Sequence, residues 1–462
     1  MSESLADALH YANAHFQEAL EDLKKLVAIP SVSFKPYPPS NIGLSAKKVA
    51  ELMAEAGLEN IDIFSLDGSF PYVVADWLHA QGAPTLLLYA HHDVQPPMRE
   101  ELWESPAFTA TERGGRLYGR GTADDKAGVV VHLASVKAWL KTTGRLPLNV
   151  RFIIEGEEEI GSPHLKSLIA EALPRLQADA VLVVDLQNFS AGQPTLTNSL
   201  RGMVCCELEL KALNAALHSG LWGGPLPDPT LGLCRLLSSL SDSEGQIAIP
   251  GICEGLIAPS ASELESWRKL DLHEQLFKAQ TGMVASARCI APQYGLLEKL
   301  WRRPSLSVNT FVAGSRENAG NVIQGKAWAR IGLRLAPGMD PQRTQQLLEQ
   351  HLRQHCPWGL ELHLRFDAAV AAWSTTPDHP MTRQLMEALS EGYQREAVFA
   401  GCGATIPLAG PLSKALGDVP VFLIGIEDPE SKAHSENESL LLGEFKKAID
   451  SQIRFFAKCR YC

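Results

Sequence analysis

The alternation of short apolar runs with amphipathic helical segments constrains the fold of this chain more than any other feature. Apolar runs at 86–90, 148–154 and 180–184 have the length of buried strands, and apolar residues at helical spacing occupy 126–141. Strands and helices that alternate in this way are typical of parallel sheets whose faces are covered by helices. We therefore predict an α/β fold with a largely parallel central sheet.

The alternating pattern is interrupted after residue 201. A long polar stretch follows, and then a strand–helix–strand piece at about 327–367. Beyond it the strand-and-helix pattern of the first part resumes. We predict a discontinuous domain formed by residues 1–201 and 377–462, with an inserted α+β domain of ferredoxin-like type at 202–376.

The composition is that of an ordinary globular protein and argues against several classes of function. The 462 residues suffice for two domains, and a formal net charge of −11 without a basic stripe disfavours a nucleic-acid partner. No apolar run approaches the ~18 residues that cross a bilayer, and the N-terminus lacks the regions of a signal peptide. The nine cysteines are an odd number, which excludes a complete disulfide framework and fits reduced thiols. We expect a cytoplasmic protein without membrane or nucleic-acid partners.

An acid or a histidine stands where each of several strands or turns should end. These residues are His91, Asp124, Glu158, Glu159, Asp185 and His434. In open α/β sheets, ligands bind beyond the carboxyl ends of the strands. Taken singly, Asp124 could cap the following helix, the glutamates could form a solvated run, and His434 could be an exposed loop residue. Their joint occurrence at successive ends indicates one shared site.

The side chains of this set are those of a metal site. Two histidines and three carboxylates suit a pair of divalent ions, with zinc or manganese preferred. Two ions ~3.5–4 Å apart need a bridging carboxylate, and a further acid must stay unligated to accept a proton from the shared water. Glu158 and Glu159 could divide the duties of ligand and proton acceptor. Asp93 follows His91 by two residues and could hold its second ring nitrogen.

Ten motifs across nearly the whole chain resemble those of one enzyme family. In order they are LLLYAHHDVQPP, LYGRGTADDKAG, EGEEEIGS, VVDLQ, SLRGM, LHSGLWGG, RPSLSVNTF, IGLRLAPG, GATIP and AHSENE. They are similar to the cocatalytic-metal peptidases and deacylases, which include aminoacylases, carboxypeptidase G, acetylornithine deacetylase and succinyl-diaminopimelate desuccinylase. The motifs HxDVQP and GRGTADDK are most similar to those of the carnosinase and nonspecific dipeptidase branch of this family.

The resemblance implies a role for each metal-ligating residue. His91 and Asp185 would hold one ion, and Glu159 and His434 would hold the other. Asp124 would bridge the two ions. The implied cofactor is therefore two divalent ions per chain, with Zn²⁺ preferred and Mn²⁺ or Co²⁺ as alternatives.

The resemblance also implies catalytic and substrate-binding residues. Glu158 would be the general base, and Asp93 would orient His91. His218 would reach into the neighbouring subunit and stabilise the oxyanion, which implies a homodimer formed through the inserted lid domain. The carboxylate of the substrate would be bound by Arg334, and Thr405 of the GATIP segment is assigned to the substrate as well.

These roles predict a dinuclear metallopeptidase. It would cleave the amide bond of dipeptides, or of similar small substrates with a free C-terminal carboxylate, by attack of a metal-bridging hydroxide with Glu158 as the base. An N-acyl-amino-acid deacylase or a carboxypeptidase of the same family is the alternative. A non-catalytic binding homologue is a more distant alternative, because the complete ligand set is present.

One departure from the branch bears on the substrate. Gly401 and Cys402 stand where its dipeptidases tend to carry an Arg-Glu pair. If that glutamate recognises the free amino terminus, its absence favours a substrate with a blocked terminus. The ligand positions and Glu158 are unaffected.

Overall fold

A computed structural model of the protein describes residues 3–317, 319–375, 379–404 and 409–459. Its α-helices are α1 (Glu3–Ala14), α2 (Phe16–Val27), α3 (Ser40–Ala56), α4 (Lys126–Thr143), α5 (Leu165–Leu176), α6 (Ser219–Trp222), α7 (Pro229–Ser238), α8 (Ala261–Arg268), α9 (Glu274–Thr281), α10 (Leu296–Trp301), α11 (Pro341–Gln354), α12 (Pro380–Tyr393), α13 (Ala409–Ala415) and α14 (Leu442–Cys459). Short 3₁₀ helices span Glu100–Leu102, Glu158–Ile160 and Pro357–Gly359. None of the helices in these ranges is long and apolar enough to cross a membrane.

The strands alternate with these helices along most of the chain. They are β1 (Glu59–Phe64), β2 (Tyr72–Trp77), β3 (Thr85–His91), β4 (Thr111–Arg113), β5 (Arg116–Tyr118), β6 (Asn149–Glu155), β7 (Ala180–Gln187), β8 (Thr195–Leu200), β9 (Gly202–Lys211), β10 (Leu217–His218), β11 (Ser305–Val312), β12 (Val322–Ile323), β13 (Lys326–Leu335), β14 (Glu361–Phe366), β15 (Trp373–Ser374), β16 (Val398–Cys402), β17 (Val421–Glu427) and β18 (Ser439–Leu441).

The chain divides into two compact units. The first contains the described residues of 1–198, 375–400 and 407–462. The second contains those of 199–374 and 401–406.

The first unit is built on a large mixed sheet with the strand order β1-β2-β6-β3-β7-β17-β8. Strands β6, β3, β7 and β17 pair in parallel, whereas β1, β2 and β8 are added antiparallel. The predicted α/β class is confirmed, and the parallel pairing is limited to the four central strands. Helix α4 packs on β3 and β7, and α14 packs on β17.

Residue type explains why β3 lies in the centre of this sheet. All of its residues after Thr85 are buried, because a parallel strand covered on both faces must be apolar along its whole length. Helix α4 is likewise buried over most of its surface. Since the central strands are parallel, their carboxyl ends meet at one edge, and this edge carries the residues at the ends of β3, β6, β7 and β17.

The second unit is an α+β structure. Its antiparallel sheet has the order β11-β13-β9-β14, and helices α7 and α11 pack against it. The apolar residues of β9 and β13 form the core with these helices. Strand β11 lies at an edge of the sheet and is largely exposed.

Candidate active site

The strand ends of the first unit bring together the residues of the predicted first metal position. His91 is the last residue of β3, and Asp185 lies near the end of the neighbouring strand β7. The His91 Nε2 atom lies 3.6 Å from Asp185 Oδ1 and 3.0 Å from Asp124 Oδ1. Asp124 comes from the turn before α4 and is joined to Asp125 by a cis peptide bond.

The second oxygen of Asp124 faces the residues of the other predicted position. Asp124 Oδ2 lies 3.0 Å from His434 Nε2, and that nitrogen lies 3.2 Å from Glu159 Oε2. His434 has a φ of 65°, a conformation that non-glycine residues rarely adopt outside functional or turn positions. The two oxygens of one carboxylate thus point to two different imidazoles.

The donor atoms fit a pair of metal ions. Two groups could each hold an ion with all ligand atoms within 4.8 Å of one another, namely His91, Asp125 and Asp185, and Asp124, Glu159 and His434. The His91 Nε2 atom is buried and makes no hydrogen bond of adequate geometry. A buried imidazole nitrogen that faces two carboxylate oxygens without such a bond is suited to metal ligation.

The carboxylate of Asp125 makes different contacts from that of Asp124. Its Oδ1 atom accepts from the Gly128 N–H at 3.2 Å and caps α4, while its Oδ2 atom accepts from the His91 N–H at 3.2 Å. Both oxygens of Asp125 are therefore engaged by the backbone, whereas those of Asp124 face the imidazoles.

The buried carboxylates of the site would be stabilised by cations. Burial, and then the carboxylates of Asp185 and Glu159, raise the pKa of Glu158 well above its ordinary value. Burial also raises the pKa of Asp185. Asp124 differs, because burial acts to raise its pKa but the nearby imidazoles of His434 and His91 outweigh it and lower the pKa. Buried carboxylates at this density are stabilised when they coordinate metal ions.

Asp93 contacts the 3₁₀ turn at Glu158–Ile160 in addition to His91, the residue that it was predicted to orient. The His91 Nδ1 atom lies 3.5 Å from Asp93 Oδ1 and 3.1 Å from the Asp93 carbonyl oxygen. The same carboxylate accepts from the backbone N–H groups of Glu158 at 3.1 Å and Glu159 at 3.2 Å. Asp93 thus connects His91 to the 3₁₀ turn that carries Glu158 and Glu159.

Two further residues position the predicted ligands Glu159 and Asp124 and were missed in the sequence analysis. Gln95 donates from its backbone N–H to Glu159 Oε1 at 3.0 Å and from its side-chain amide to Glu159 Oε2 at 2.8 Å. The buried Glu438 carboxylate accepts from the N–H groups of Ala123 at 2.9 Å and Asp124 at 3.1 Å. Gln95 and Glu438 lie within the HHDVQPP and AHSENE motifs. Their presence in these motifs was the sequence signal that could have identified them.

Glu427 is a third residue that was missed. It ends β17, and its carbonyl oxygen accepts from the Asn188 N–H at 2.9 Å. Burial, and then the charges of Asp124 and Asp185, raise the pKa of its carboxyl group well above the ordinary value. Within the described residues, the Glu427 carboxylate has no hydrogen-bond or ion-pair partner. The sequence signal that could have identified Glu427 is that β17, the fourth of the parallel strands, also ends on an acid.

The remaining predicted residues belong to the second unit. His218 is exposed at the end of β10, and its Nδ1 atom accepts from the Gly220 N–H at 3.1 Å. Arg334 lies half-buried on β13. Burial, and next the charge of Arg334, lower the pKa of the neighbouring Arg201 to about 10. Thr405 lies outside the described residues.

Comparisons with known proteins agree with one another. The profile of peptidase family M20/M25/M40 matches residues 87–458. Beta-Ala-His dipeptidase of Rattus norvegicus is 32% identical over 459 residues, which cover 95% of this chain and 92% of the rat protein. Cys-Gly metallodipeptidase DUG1 of Saccharomyces cerevisiae is 28% identical over 482 residues, with 99% of both chains covered. The solved structure of the dipeptidase Dug1p from the same yeast matches with a TM-score of 0.80 and 25% identity over 100% of both chains.

Proposed function

Because the chain belongs to peptidase family M20/M25/M40, we propose that it is a dinuclear metal-dependent dipeptidase. Its substrates would be dipeptides or similar small amides with a free C-terminal carboxylate. The family that the sequence motifs predicted is confirmed. The observation that carries the proposal is the position of Asp124, whose two oxygens lie 3.0 Å from His91 Nε2 and 3.0 Å from His434 Nε2.

In this proposal the first unit holds two divalent ions. His91 and Asp185 would bind one, Glu159 and His434 the other, and Asp124 would bind both. Zn²⁺ is the preferred ion and Mn²⁺ or Co²⁺ the alternative, because imidazole and carboxylate donors suit ions of borderline hardness. When bound, the ions would polarise the amide carbonyl and lower the pKa of a shared water molecule.

Glu158 would act as the general base. Its carboxylate would accept the proton of the attacking water and later return it to the leaving amine. Burial raises the pKa of its carboxyl group, and a general base must take up and release one proton in each catalytic cycle. Asp93 would keep Glu158 in place through the backbone N–H at 3.1 Å.

The second unit would contribute to substrate binding and to assembly. Arg334 would bind the substrate carboxylate, and the neighbouring Arg201 supports this because an anion would relieve the repulsion between two guanidinium groups. We assign Thr405 to the substrate and His218 to the oxyanion of the neighbouring subunit. Residues 202–376 would then form the lid and dimerisation domain.

A homodimer formed through the second unit is supported by its exposed apolar residues. Side chains of the edge strand β11 are exposed, including Val308, Phe311 and Val312. Leu221 is 77% exposed and Trp222 is 56% exposed. An unpaired edge strand with apolar side chains is a common site of association between chains.

We also propose a cytoplasmic location. The eight cysteines within the described residues are all free thiols. Free thiols are usual in a reducing compartment, whereas secreted proteins tend to pair them.

A substrate panel tests the proposal. Purified protein loaded with Zn²⁺ or Mn²⁺ is expected to hydrolyse Ala-Ala, Cys-Gly and β-alanyl-histidine, with kcat/KM about 10- to 150-fold above that for N-acetyl-alanine, because a free amine adds an ionic contact of ~1.5–3 kcal/mol. A preference for N-acetyl-alanine would instead support the deacylase alternative. Release of C-terminal residues from longer peptides at equal rates would support a carboxypeptidase.

One feature of the sequence bears on the deacylase alternative. Gly401 and Cys402 stand where the branch tends to carry an Arg-Glu pair, so the acid that would contact a free amino terminus is absent from this segment. The comparison of free and acetylated termini decides between the two functions.

A further inference from the structure

The guanidinium group of Arg120 connects three separate segments of the first unit. Arg120 lies between β5 and α4 and is 1% exposed. Its Nη1 atom donates to Glu438 Oε2 at 2.6 Å, and its Nη2 atom donates to the carbonyl oxygens of Pro96 and Ser435, both at 3.1 Å. One buried side chain in the turn before α4 therefore contacts both the loop after β3 and the loop before β18.

The two carbonyl contacts lead to proposed ligands of one ion. We call Asp124, Glu159 and His434 the second metal position, because their ligand atoms lie within 4.8 Å of one another. Ser435 directly follows His434 in the chain. Pro96 directly follows Gln95, whose backbone N–H and side-chain amide donate to the Glu159 carboxylate at 3.0 and 2.8 Å. The Nη2 atom thus joins the segments that carry or hold these two ligands.

The carboxylate contact leads to the proposed bridging ligand. Glu438 accepts from the Asp124 N–H at 3.1 Å, and from the N–H groups of Gly121 at 3.0 Å and Ala123 at 2.9 Å. The Glu438 side chain is fully buried, so its charge needs the ion pair with Arg120. Each ligand of the second metal position is therefore connected to the guanidinium group through one or two intermediate residues.

The ligands of the first metal position, His91 and Asp185, are held in a different way. His91 ends β3 and Asp185 lies near the end of β7, and these two strands pair in parallel. The hydrogen-bond ladder of the sheet therefore sets their spacing. Glu159 lies instead on a 3₁₀ turn, and His434 lies outside the strands and helices with a φ of 65°. Contacts from side chains must position these two ligands.

A guanidinium group suits this geometry. Its N–H donors form a rigid planar fork, so one nitrogen can donate to two carbonyl oxygens while another donates to a carboxylate. A lysine ammonium is a compact donor on a flexible stem and would not keep the three acceptors in place. The Arg120 guanidinium carbon also lies 5.7 Å from the centre of the Trp103 ring, and Trp103 Nε1 donates to the Pro97 carbonyl oxygen at 2.7 Å. These contacts hold the guanidinium group in one orientation.

We propose that Arg120 is a positioning residue that sets the affinity of the second metal position and leaves that of the first largely unchanged. It acts through Ser435, Pro96 and Glu438. The inference rests on the proposed function, since it requires two ions per chain. It adds that the two ions differ in their support, because the sheet holds the ligands of one and a buried arginine holds those of the other.

Metal titrations of the full chain test the proposal. Zn²⁺ is added to metal-free protein in competition with a metal indicator, and the wild type is expected to bind two ions. In R120K, one ion should keep its Kd while the other binds about 10- to 100-fold more weakly, the usual effect of losing a residue that orients a ligand. The matched control is R99K, because Arg99 pairs with Glu436 of the same loop but is 68% exposed. It should change neither Kd.

Variants of the proposed ligands identify the ion that is weakened. H434A should keep the ion of the first position, and adding R120K should change its Kd by less than about threefold. D185A should keep the ion of the second position, and adding R120K should weaken it by about 10- to 100-fold. Equal weakening in both backgrounds, or none in either, would overturn the proposal. Fewer than two ions in the wild type would overturn the proposed function itself, so the two failures are distinguishable.

Hydrogen exchange of the wild type keeps the proposal testable if R120K does not fold. Because Arg120 couples the three segments, the backbone amides of 94–95, 121–124 and 434–438 are expected to gain protection at the same equivalent of Zn²⁺. Protection of these segments at different equivalents would show that they respond independently and would overturn the proposal.

Discussion

In the proposed function, single residues of the first unit would divide the work of binding ions and moving a proton. Glu158 and Glu159 are adjacent on one 3₁₀ turn, and within the described residues it is the Glu159 carboxylate that lies at ion-pair distance from an imidazole, 3.2 Å from His434 Nε2. Glu159 is also held by Gln95. Glu158 would therefore be the acid of the pair that remains available for proton transfer.

Glu158→Gln is predicted to separate catalysis from metal binding. It removes the base but no proposed ligand, so two ions per chain should remain while kcat falls by about 10²–10⁴-fold. Metal analysis by mass spectrometry and steady-state kinetics with Ala-Ala check both parts. Retained activity would show that another group accepts the proton.

Glu427→Gln is predicted to change substrate preference. With Asp124, Asp185 and Glu159 as ligands and Glu158 as base, the Glu427 carboxylate adds negative charge that a substrate ammonium group would balance. We expect KM for Ala-Ala to rise by about 10-fold and kinetics with N-acetyl-alanine to stay unchanged. The control is E430Q, since the Glu430 side chain is 84% exposed. An equal effect on both substrates would exclude amine recognition.

At the scale of secondary-structure elements, the turn before α4 is fixed by a residue from the far end of the chain. The Glu438 carboxylate accepts from Arg120 Nη1 at 2.6 Å and from the backbone N–H groups of Gly121, Ala123 and Asp124. These contacts set the position of Asp124 between the two histidines. The proposed metal site would therefore depend on the packing of the loop before β18 against this turn.

Glu438→Gln is predicted to weaken metal binding without removing a ligand. Its amide N–H would face N–H donors, and the buried Arg120 would lose its anionic partner. We expect metal affinity to fall by about 10- to 100-fold and the free energy of unfolding to fall by about 3 kcal/mol. Competition with a metal indicator and urea titration measure these changes. E436Q is the matched control, because Glu436 pairs with the exposed Arg99 and should change neither quantity.

At the scale of the whole molecule, the first unit should depend on its ions for stability. Its buried carboxylates would lose their counter-charges when the ions are removed. Ions present at 1,000 times their Kd contribute ~4 kcal/mol each, so chelation should lower the melting temperature by on the order of 10 °C. Calorimetry with and without chelator tests this. Hydrogen exchange in β9 and β13 of the second unit should stay unchanged, and no shift in melting temperature would contradict the metal site.

Mixed dimers test whether His218 acts across subunits. H218A and E158Q homodimers should both have little activity. A heterodimer of the two should recover about half of the wild-type kcat, because one of its sites combines an intact Glu158 with His218 of the partner chain. A monomer in sedimentation analysis, or no recovery in purified heterodimers, would exclude this arrangement.

The sequence by itself determined the fold class, the family and the chemical types at the site. The spacing of apolar residues predicts strands and helices, and the end of a parallel strand predicts where polar side chains gather. The family followed from the resemblance of the ten motifs to those of known enzymes. His91, Asp124, Glu159, Asp185 and His434 could be named in this way, and their assignment as ligands stays a prediction.

Only the tertiary structure decided which atoms face each other. That Asp125 caps a helix while Asp124 faces two imidazoles, and that Glu438 holds a turn more than 300 positions away, depends on contacts between distant segments. Sequence periodicity reports the face on which a residue lies, whereas protonation and ligation are set by neighbours that the fold alone brings into contact.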